Sequence, residues 1–354
     1  MKNDGRNPRA RGGARTNSVP HLRGDSRSLP CSDHSGGVLA AIDVGTNAAR
    51  LEVVRILGDG TLQALHQERA PVRTGEGVFT SGMISAAAVT RLLLTLRRFA
   101  AVCGRYDARV RAVATSAVRE ARNREDLLRR AREEAGIELE VISGDEEARL
   151  ICLGVLADRS VSRSVVIDIG GGSTEVARAT GARVVARYSV PVGAVRLTEA
   201  FGSRGRITGA QLSSMRRFAS QVLRDTVPRL RSPGIAIGTA GTINSLAAVY
   251  GQNGRMSLRE VKRVVQELAM QSLAQKRRRF DATRADIILA GAVILEATLA
   301  RIGSESVIAV QSGLREGMIQ EMSESGRTHT GRRPGAQPPP ANTLGKRARN
   351  AEQC

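Results

Sequence analysis

The sequence predicts an α/β protein made of two similar domains that face each other across a cleft. Three observations indicate this class. Short apolar strands alternate with amphipathic helices between Val38 and Met322, which is typical of sheets flanked by helices. A strand that ends in Asp-x-Gly occurs twice, at Asp43 and at Asp168. The chain has 354 residues, enough for two domains of ordinary size.

Domain boundaries follow from shifts in composition along the chain. Residues 1–37 and 323–354 are polar and basic, and we expect both segments to be disordered tails. Between them we expect an N-terminal domain at 38–160 and a C-terminal domain at 161–322.

In the first domain, runs of β-branched and small apolar residues predict strands, and apolar side chains at helical spacing predict helices. Strands are expected at 38–42, 49–57, 64–72, 108–115 and 139–142. Helices are expected at 85–104, 124–134 and 143–156. Ser143 and Glu146 have capping-box spacing at the start of the last helix. Residues 74–82 contain three glycines and are expected to be a loop.

The second domain repeats this pattern. Strands are expected at 165–167, 175–178, 183–189, 235–237 and 306–310. Helices are expected at 208–230, from Ser257 onward, at 285–302 and at 313–322. Ser257 and Glu260 form a second capping-box pattern. The basic run Lys276–Arg279 is interpreted as a solvated face, with an electrostatic track for an anionic chain as the alternative.

Composition points to an anionic partner. The net charge is +20, and the two tails contribute +4 each, so a charge of +12 remains on the body of the chain. Aromatic residues make up 2% of the sequence, with no Trp, which argues against modules that stack nucleic-acid bases on aromatic rings. We therefore expect a small anionic substrate and no specific nucleic-acid partner, although an Arg-rich bias with solvated faces explains part of the charge.

The cysteines and the hydropathy pattern indicate the compartment. Four scattered cysteines form no CxxC or metal-ligand spacing, and Cys103 and Cys152 lie in apolar helical patterns. No apolar run reaches about 18 residues, and the N-terminus lacks the apolar segment of a secretory signal. The sequence thus predicts a cytoplasmic protein without a membrane partner.

The stretch Ser164–Val176 carries the strongest functional signal. A buried strand ends at Asp168, and Gly170, Gly171 and Gly172 follow, so backbone N–H groups can approach a ligand without a Cβ in the way. Converging N–H groups form an anion-binding concavity, to which Ser173 and Thr174 add hydroxyl groups. We interpret the stretch as a phosphate-binding loop; the alternative is a glycine hairpin without a ligand.

An offset of 125 residues superimposes the first Asp-x-Gly turn on the second. Asp43 falls on Asp168 and Gly45 on Gly170, while Thr46-Asn47 falls on Gly171-Gly172 and Arg50 on Glu175. Two such turns facing across a cleft would hold an oligophosphate from both sides. A third glycine turn, Gly238–Thr242, could add contacts from the second domain.

Seven motifs together resemble the Ppx/GppA phosphatase family of exopolyphosphatases and guanosine pentaphosphate phosphohydrolases. The resemblance runs in order from Val38 to Met322. Its motifs are residues 41–47, 114–121, 142–150, 166–175, 193–198, 238–242 and 284–288. It implies two ribonuclease H-like domains of the actin-like ATPase superfamily, in a short form without a further C-terminal helical domain. It also implies Mg²⁺-dependent release of a terminal phosphate.

The resemblance also implies roles for individual residues. Glu147 matches the family's catalytic glutamate and would be the base that deprotonates water, whereas without the family it would read as a solvated acid. The residues expected to hold Mg²⁺ are Asp43, Asp168 and Glu175. Those expected to bind substrate phosphate are Gly45, Thr46, Asn47, Arg50, Arg119, Gly170, Gly171, Gly172, Ser173 and Thr174. Ala48 and Ala240 replace serines of the family pattern, so we expect somewhat weaker phosphate binding.

Four functions compete at this point, and the Glu-Glu-Ala-Arg motif at 146–149 argues against one of them, an ATP-dependent sugar-kinase-like activity. An exopolyphosphatase acting on inorganic polyphosphate is favoured by the basic body and by the lack of an aromatic platform for a base. A guanosine pentaphosphate phosphohydrolase would use the same residues. A non-catalytic binder of either ligand is disfavoured by the intact acids at Glu147, Asp168 and Glu175. The sequence leaves open whether the protein forms a homodimer.

Overall fold

The computed structural model describes residues 37–157, 159, 161–230 and 233–330. Most of both predicted tails lies outside the described residues, and its expected disorder stays a prediction. At residues 323–330 the expectation is wrong, because the last helix of the described chain continues through them. All described residues belong to one compact unit.

The first sheet has five strands in the order β3-β2-β1-β4-β5. They are β1 (Val38–Val44), β2 (Ala49–Ile56), β3 (Leu62–Ala70), β4 (Arg109–Ala114) and β5 (Leu139–Val141). Strand β1 pairs antiparallel with β2 and parallel with β4, so it is central and buried on both faces. Its side chains are therefore apolar almost without interruption until Asp43 at its carboxyl end.

The second sheet has six strands in the order β10-β11-β9-β6-β7-β8. They are β6 (Arg163–Ile169), β7 (Thr174–Thr180), β8 (Arg183–Val190), β9 (Ile235–Thr239), β10 (Arg255–Ser257) and β11 (Ser306–Ala309). Here β6 takes the place of β1, because it pairs antiparallel with β7 and parallel with β9. This sheet also places an aspartate, Asp168, at the carboxyl end of its central strand.

Thirteen helices cover the sheets within the described part of the chain. In the first half they are α1 (Val78–Ser81), α2 (Ala86–Arg105), α3 (Ser116–Glu120), α4 (Arg124–Ala135) and α5 (Gly144–Leu156). In the second half they are α6 (Ala194–Phe201), α7 (Gly209–Thr226), α8 (Ala240–Tyr250), α9 (Leu258–Met270), α10 (Leu273–Arg277), α11 (Ala282–Ala285), α12 (Ile288–Ile302) and α13 (Leu314–Thr330). None of the described helices is long and apolar enough to span a membrane.

The strand pairing confirms the internal repeat. Strand β1 begins at Val38 and β6 at Arg163, which is the expected offset of 125 residues. In the first sheet Asp43 lies opposite Arg50, and in the second Asp168 lies opposite Glu175. The same point in each hairpin thus carries a carboxylate facing a charged partner, which is cationic in one sheet and anionic in the other.

Three large apolar cores hold the described part of the fold together. One lies between the first sheet and α2 and α4, and a second between the other sheet and α7, α9 and α12. The third core joins side chains of both sheets to α5 and α13. Burying this surface stabilises by about 25 cal/mol per Å², so the shared core couples the two halves energetically.

Helices α5 and α13 cross at two glycines. A Cβ on Gly154 would collide with the carbonyl of Gly313, and a Cβ on Gly317 would collide with the carbonyl of Leu150. The backbones of the two helices are therefore in direct contact, closer than any side chain would allow. This crossing fixes the start of α5, where Glu147 lies, against the strand-rich core.

Several sequence expectations need correction. The expected loop 74–82 contains α1, whose ends are the left-handed residues Gly77 and Gly82. The helix expected at 208–230 ends at Thr226, because Pro228 forces the preceding residue into an extended conformation. The helix expected at 285–302 begins later, as α12 at Ile288, and the separate short helix α11 ends at Ala285. Helix α2 ends one residue later than expected, at Arg105.

The predicted capping boxes had different outcomes. Ser257 and Glu260 form a complete box at the start of α9, as expected. At α5, the Ser143 hydroxyl accepts a hydrogen bond from the backbone N–H of Glu146, at 3.1 Å. The Glu146 carboxylate, however, binds Arg149 at 2.7 Å instead of returning to Ser143. An Arg one turn along the helix offers two charge-assisted hydrogen bonds, which outcompete one backbone N–H.

The basic run at residues 276–279 is solvated at its three arginines, as expected, but not at Lys276. Lys276 is fully buried, and its ammonium group donates hydrogen bonds to the carbonyls of Arg204 at 3.1 Å and Gly205 at 2.9 Å. Arg277 binds Asp286, and Arg279 binds Glu267. The run therefore holds loops and helices of the second half together, and the electrostatic-track alternative has no support at Lys276.

We expect Lys276 to make stability depend on pH. Burial lowers the pKa of Lys276 from 10.5 to about 8, so between these values the unfolded chain binds more protons than the folded one. Stability from this group therefore rises as pH increases from about 8 to 10.5. Urea unfolding across that range should show wild type gaining stability relative to Lys276→Met. A difference that does not change with pH would contradict the assignment.

Candidate active site

A cleft of about 580 Å³ opens where the carboxyl ends of β1, β6 and β9 meet. Ligands bind at such strand ends in open α/β sheets, because loops and helix N-termini converge there. All but three of the residues predicted for the site line this cleft. The three that lie outside its lining are Arg119, Thr174 and Glu175.

The first predicted phosphate loop follows β1. The backbone N–H of Gly45 donates to the carbonyl of Ala48 at 3.1 Å, which closes the turn. The carbonyls of Gly45 and Thr46 both accept hydrogen bonds from the Thr74 hydroxyl, at 2.8 and 3.2 Å. The side-chain amide nitrogen of Asn47 is buried and has no hydrogen-bond partner among the described residues. A buried amide donor without a partner is costly, and it is available to an anionic ligand.

The second loop follows β6 and faces the first. Gly170 closes its own turn by donating to the carbonyl of Ser173 at 3.0 Å. A Cβ added to Gly171 would lie 2.7 Å from the Cβ of Thr46, so the two loops approach too closely for a side chain at this position. The geometry therefore brings the two predicted loops together on opposite sides of one cleft.

Thr174 and Glu175 lie behind the second loop. The Thr174 hydroxyl donates to the carbonyl of Val192 at 2.6 Å, so its bond is already made within the protein. One carboxylate oxygen of Glu175 accepts from the Ser189 hydroxyl at 2.8 Å, and the other is buried without a partner. Burial raises the pKa of Glu175 to about 7.

Glu147 lies in the first turn of α5, where the sequence placed it, and its side chain faces the cleft. It is 8% exposed, and its only ion pair in the described structure is to Arg119 at 3.2 Å. Arg119 also donates to the carbonyl of Ile142 at 2.9 Å, which fixes the guanidinium at the entry to α5. Burial, and next the negative charge of Glu175, raise the pKa of Glu147 well above its usual value.

Asp43 and Asp168 end the two central strands within the cleft. Burial raises the pKa of Asp43, and Arg50 acts in the opposite direction. Burial and then the charge of Glu175 raise the pKa of Asp168 to about 8. Carboxylates crowded together in a buried place favour a bound cation, because each proton or metal ion relieves their mutual repulsion.

Asp43, Asp168 and Glu175 are the acids that would hold a magnesium ion. No three His, Cys, Asp or Glu side chains of the described residues are already arranged around one point as a metal-binding group. Mg²⁺ in phosphoryl-transfer sites usually takes one or two carboxylates and completes its shell with water and substrate phosphate. Asp43 and Asp168, with the unpartnered oxygen of Glu175 behind them, fit this requirement without a preformed cage.

Three arginines that line the cleft, Arg50, Arg69 and Arg284, have no carboxylate within 4 Å among the described side chains, and two of them lie close together. These two are Arg50 on β2 and Arg284 on α11. A Cβ on Gly241 would collide with Arg284 and would lie 3.3 Å from a nitrogen of Arg50, so both guanidinium groups lie beside this glycine. Burial, and next Arg50, lower the pKa of Arg284 to about 10. Adjacent buried cations without counterions indicate an anionic ligand.

Sequence reasoning did not assign Arg284 to the site. It stood within a family motif at the start of a predicted helix, but the fold alone brings it to Arg50, 234 residues earlier in the chain. The third glycine turn lines the cleft from the second half, as expected, although its residues form the end of β9 and the start of α8. Ala240 begins α8 with a left-handed backbone, φ 66°, and the N-terminus of that helix enters the cleft. A non-glycine residue in this conformation is strained, which is common where a backbone is held for a ligand.

The fold and this cleft define a class of phosphate-binding α/β proteins with two facing Asp-x-Gly loops. Residues 53–325 match the Ppx/GppA phosphatase family, and the chain belongs to that family. It is 32% identical over 304 residues to exopolyphosphatase 1 of Mycobacterium tuberculosis, covering 81% of this chain and 88% of that protein. It is 31% identical to exopolyphosphatase 1 of Mycobacterium leprae, covering 81% and 90%.

Solved structures agree with this membership. An exopolyphosphatase from Cytophaga hutchinsonii superposes with a TM-score of 0.75 at 26% identity, covering 81% of this chain and 98% of that one. The Aquifex aeolicus PPX-GPPA enzyme superposes with a TM-score of 0.68 at 29% identity, covering 80% and 99%. The expected α/β fold with two sheets is confirmed.

Proposed function

We propose that the protein is an exopolyphosphatase, which hydrolyses the terminal phosphate of linear inorganic polyphosphate. One observation carries the proposal. A single cleft combines two facing glycine loops and unpaired arginines with one buried glutamate, Glu147, that is held by an arginine. The loops and arginines suit a polyanion, and the glutamate suits activation of water.

Glu147 accepts the proton of the attacking water in this mechanism. Its burial makes it a stronger base than an exposed glutamate, because the charged form is poorly solvated. Arg119 holds the carboxylate in one orientation, so the water is aligned with the terminal phosphorus.

The loops hold the phosphate while the bond to the next phosphate breaks. The N–H groups of Gly171 and Gly172, the Asn47 amide and the Ser173 hydroxyl are donors available in the cleft. Arg50 and Arg284 neutralise charge on neighbouring phosphates of the chain. The Thr174 hydroxyl already donates a hydrogen bond to the carbonyl of Val192, so this residue contributes to the shape of the loop.

Asp43, Asp168 and Glu175 are the groups that would hold Mg²⁺, which when bound neutralises non-bridging phosphate oxygens. The protein itself places Asp43 at the end of β1 and Asp168 at the end of β6. Neither carboxylate is hydrogen-bonded to a cationic side chain of the described residues.

The lining of the cleft favours polyphosphate over guanosine pentaphosphate. No aromatic side chain is found among its described residues, so a guanine base has no ring to stack on.

Two further proposals concern the domain boundary and the cellular location of the enzyme. We propose the division into domains near residue 160 and a cytoplasmic location, the latter in keeping with buried thiols at Cys103 and Cys152.

The proposal predicts phosphate release from long-chain polyphosphate in the presence of Mg²⁺. Wild type should release phosphate from this substrate with a higher kcat/KM than from guanosine pentaphosphate, measured in parallel by inorganic phosphate detection. A reversed preference would instead assign the alarmone as substrate. No release from either substrate would exclude both hydrolases.

A further inference from the structure

Three charged side chains form a line across the first sheet at the mouth of the cleft. In the strand register, Asp43 on β1 lies opposite Arg50 on β2, and Arg50 lies opposite Arg69 on β3. All three line the cleft. Arg69 is exposed on the edge strand, whereas Asp43 is buried, so the line runs from the interior of the cleft to solvent.

The pairing of Arg50 with Arg69 is unfavourable in the protein alone. Like charges directly opposite each other on neighbouring strands repel. No carboxylate of the described residues lies within 4 Å of the Arg69 guanidinium, whose hydrogen bond is to the Thr283 hydroxyl at 3.2 Å. The acids nearest in sequence and space are already engaged: Glu68 binds Arg98, and Asp281 accepts from Thr283 and from the backbone of Arg284.

The next line of residues across the same strands carries no positive charge. It consists of Ala41, Glu52 and Gln67, and the Glu52 carboxylate accepts a hydrogen bond from the Gln67 amide at 2.9 Å. Near the mouth of the cleft, the arginines that β2 and β3 place on this face are therefore confined to the single line through Arg50 and Arg69. A flexible anionic chain would follow that line in preference to the adjacent one.

We propose that Arg69 is a distal phosphate subsite, and that the substrate chain leaves the cleft over Arg50 and the edge strand β3. The inference rests on the proposed polyphosphatase function and adds the direction of the chain to it. Two strand spacings of about 4.8 Å separate β3 from β1, so this subsite is several phosphates from the reacting end. Arg69 should thus matter more as the chain becomes longer.

The test compares Arg69→Gln with Arg55→Gln in the full-length protein. Arg55 is an exposed arginine on β2 outside the cleft lining, and its substitution removes the same charge. Relative to Arg55→Gln, Arg69→Gln should lower kcat/KM for long-chain polyphosphate about tenfold, the effect of losing one arginine–phosphate contact. The factor for tripolyphosphate should be clearly smaller.

Binding of long-chain polyphosphate gives a readout that is independent of turnover. In a Glu147→Gln background, Arg69→Gln should raise Kd about tenfold, and Arg55→Gln should change it much less. Arg69→Gln should also melt at the same temperature as wild type or higher, because a like-charge pair has been removed.

The outcomes separate the two claims. If wild type hydrolyses polyphosphate and Arg69→Gln behaves like Arg55→Gln on the long chain, the subsite is wrong and the function stands. Equal losses on tripolyphosphate and long chains would also overturn the subsite, because Arg69 would then act near the reacting phosphate. If wild type releases no phosphate from polyphosphate, the proposed function itself fails.

Discussion

Glu147→Gln should lower kcat for phosphate release from polyphosphate by about 10²–10⁴-fold, the usual contribution of a general base. The amide keeps the shape of the side chain and can still contact Arg119, but it cannot take a proton from water. KM should change far less than kcat, because the phosphate loops and arginines are intact. Steady-state kinetics with Mg²⁺ and long-chain polyphosphate would measure both constants.

Glu146→Gln is the matched control for this substitution. Glu146 is the neighbouring residue on α5, but its carboxylate binds Arg149 and does not line the cleft. The control should retain most of the activity and lose some stability, because one helix-surface ion pair is weakened. Equal activities in the two variants would remove Glu147 from the catalytic role.

Gly317→Ala should destabilise the protein by about 3 kcal/mol, at the upper end of the usual cost of overpacking. The new methyl group would collide with the carbonyl of Leu150 on α5, and backbone on both sides leaves no flexible side chain to move aside. Helices α5 and α13 would have to separate, which also displaces Glu147. Urea unfolding and phosphate release should therefore both be impaired.

Gly104→Ala provides the comparison for a helical glycine without neighbours. Nothing lies within 4 Å of a Cβ at this position in α2. Alanine is the better helix former, so this variant should gain about 0.5–1 kcal/mol. If Gly317→Ala were as stable as wild type, the helix crossing would not require a glycine there.

The sequence was most informative where function depends on local chain geometry. The two Asp-x-Gly loops follow from short motifs, and the 125-residue offset predicted which strand positions would correspond. Helix starts with a Ser or Thr cap could also be predicted from the sequence, because the capping pattern spans only four residues. The strand register then confirmed that Asp43 and Asp168 occupy equivalent places.

Contacts between distant segments were beyond this reasoning. Arg284 reaches Arg50 only after α11 packs near the cleft, and Lys276 becomes buried only because a loop at 204–205 supplies two carbonyls. A basic run in a sequence does not reveal which of its members will find partners. Thr174 was predicted to face phosphate for the same reason, since its partner Val192 lies on a separate segment.

The line from Asp43 to Arg69 gives the cleft an electrical polarity. Its outer rim is cationic and exposed at Arg69, whereas its floor is anionic, at the buried Asp43 and Glu147 and at Asp168. The rim attracts a polyanion, whereas the acids of the floor repel it. Only one terminal phosphate, with its negative charge balanced by a cation, can therefore enter. An internal phosphate could reach the floor only if the polyphosphate segments on both sides of it also passed the acidic side chains. The charge gradient therefore makes the chain end the one place where cleavage is expected.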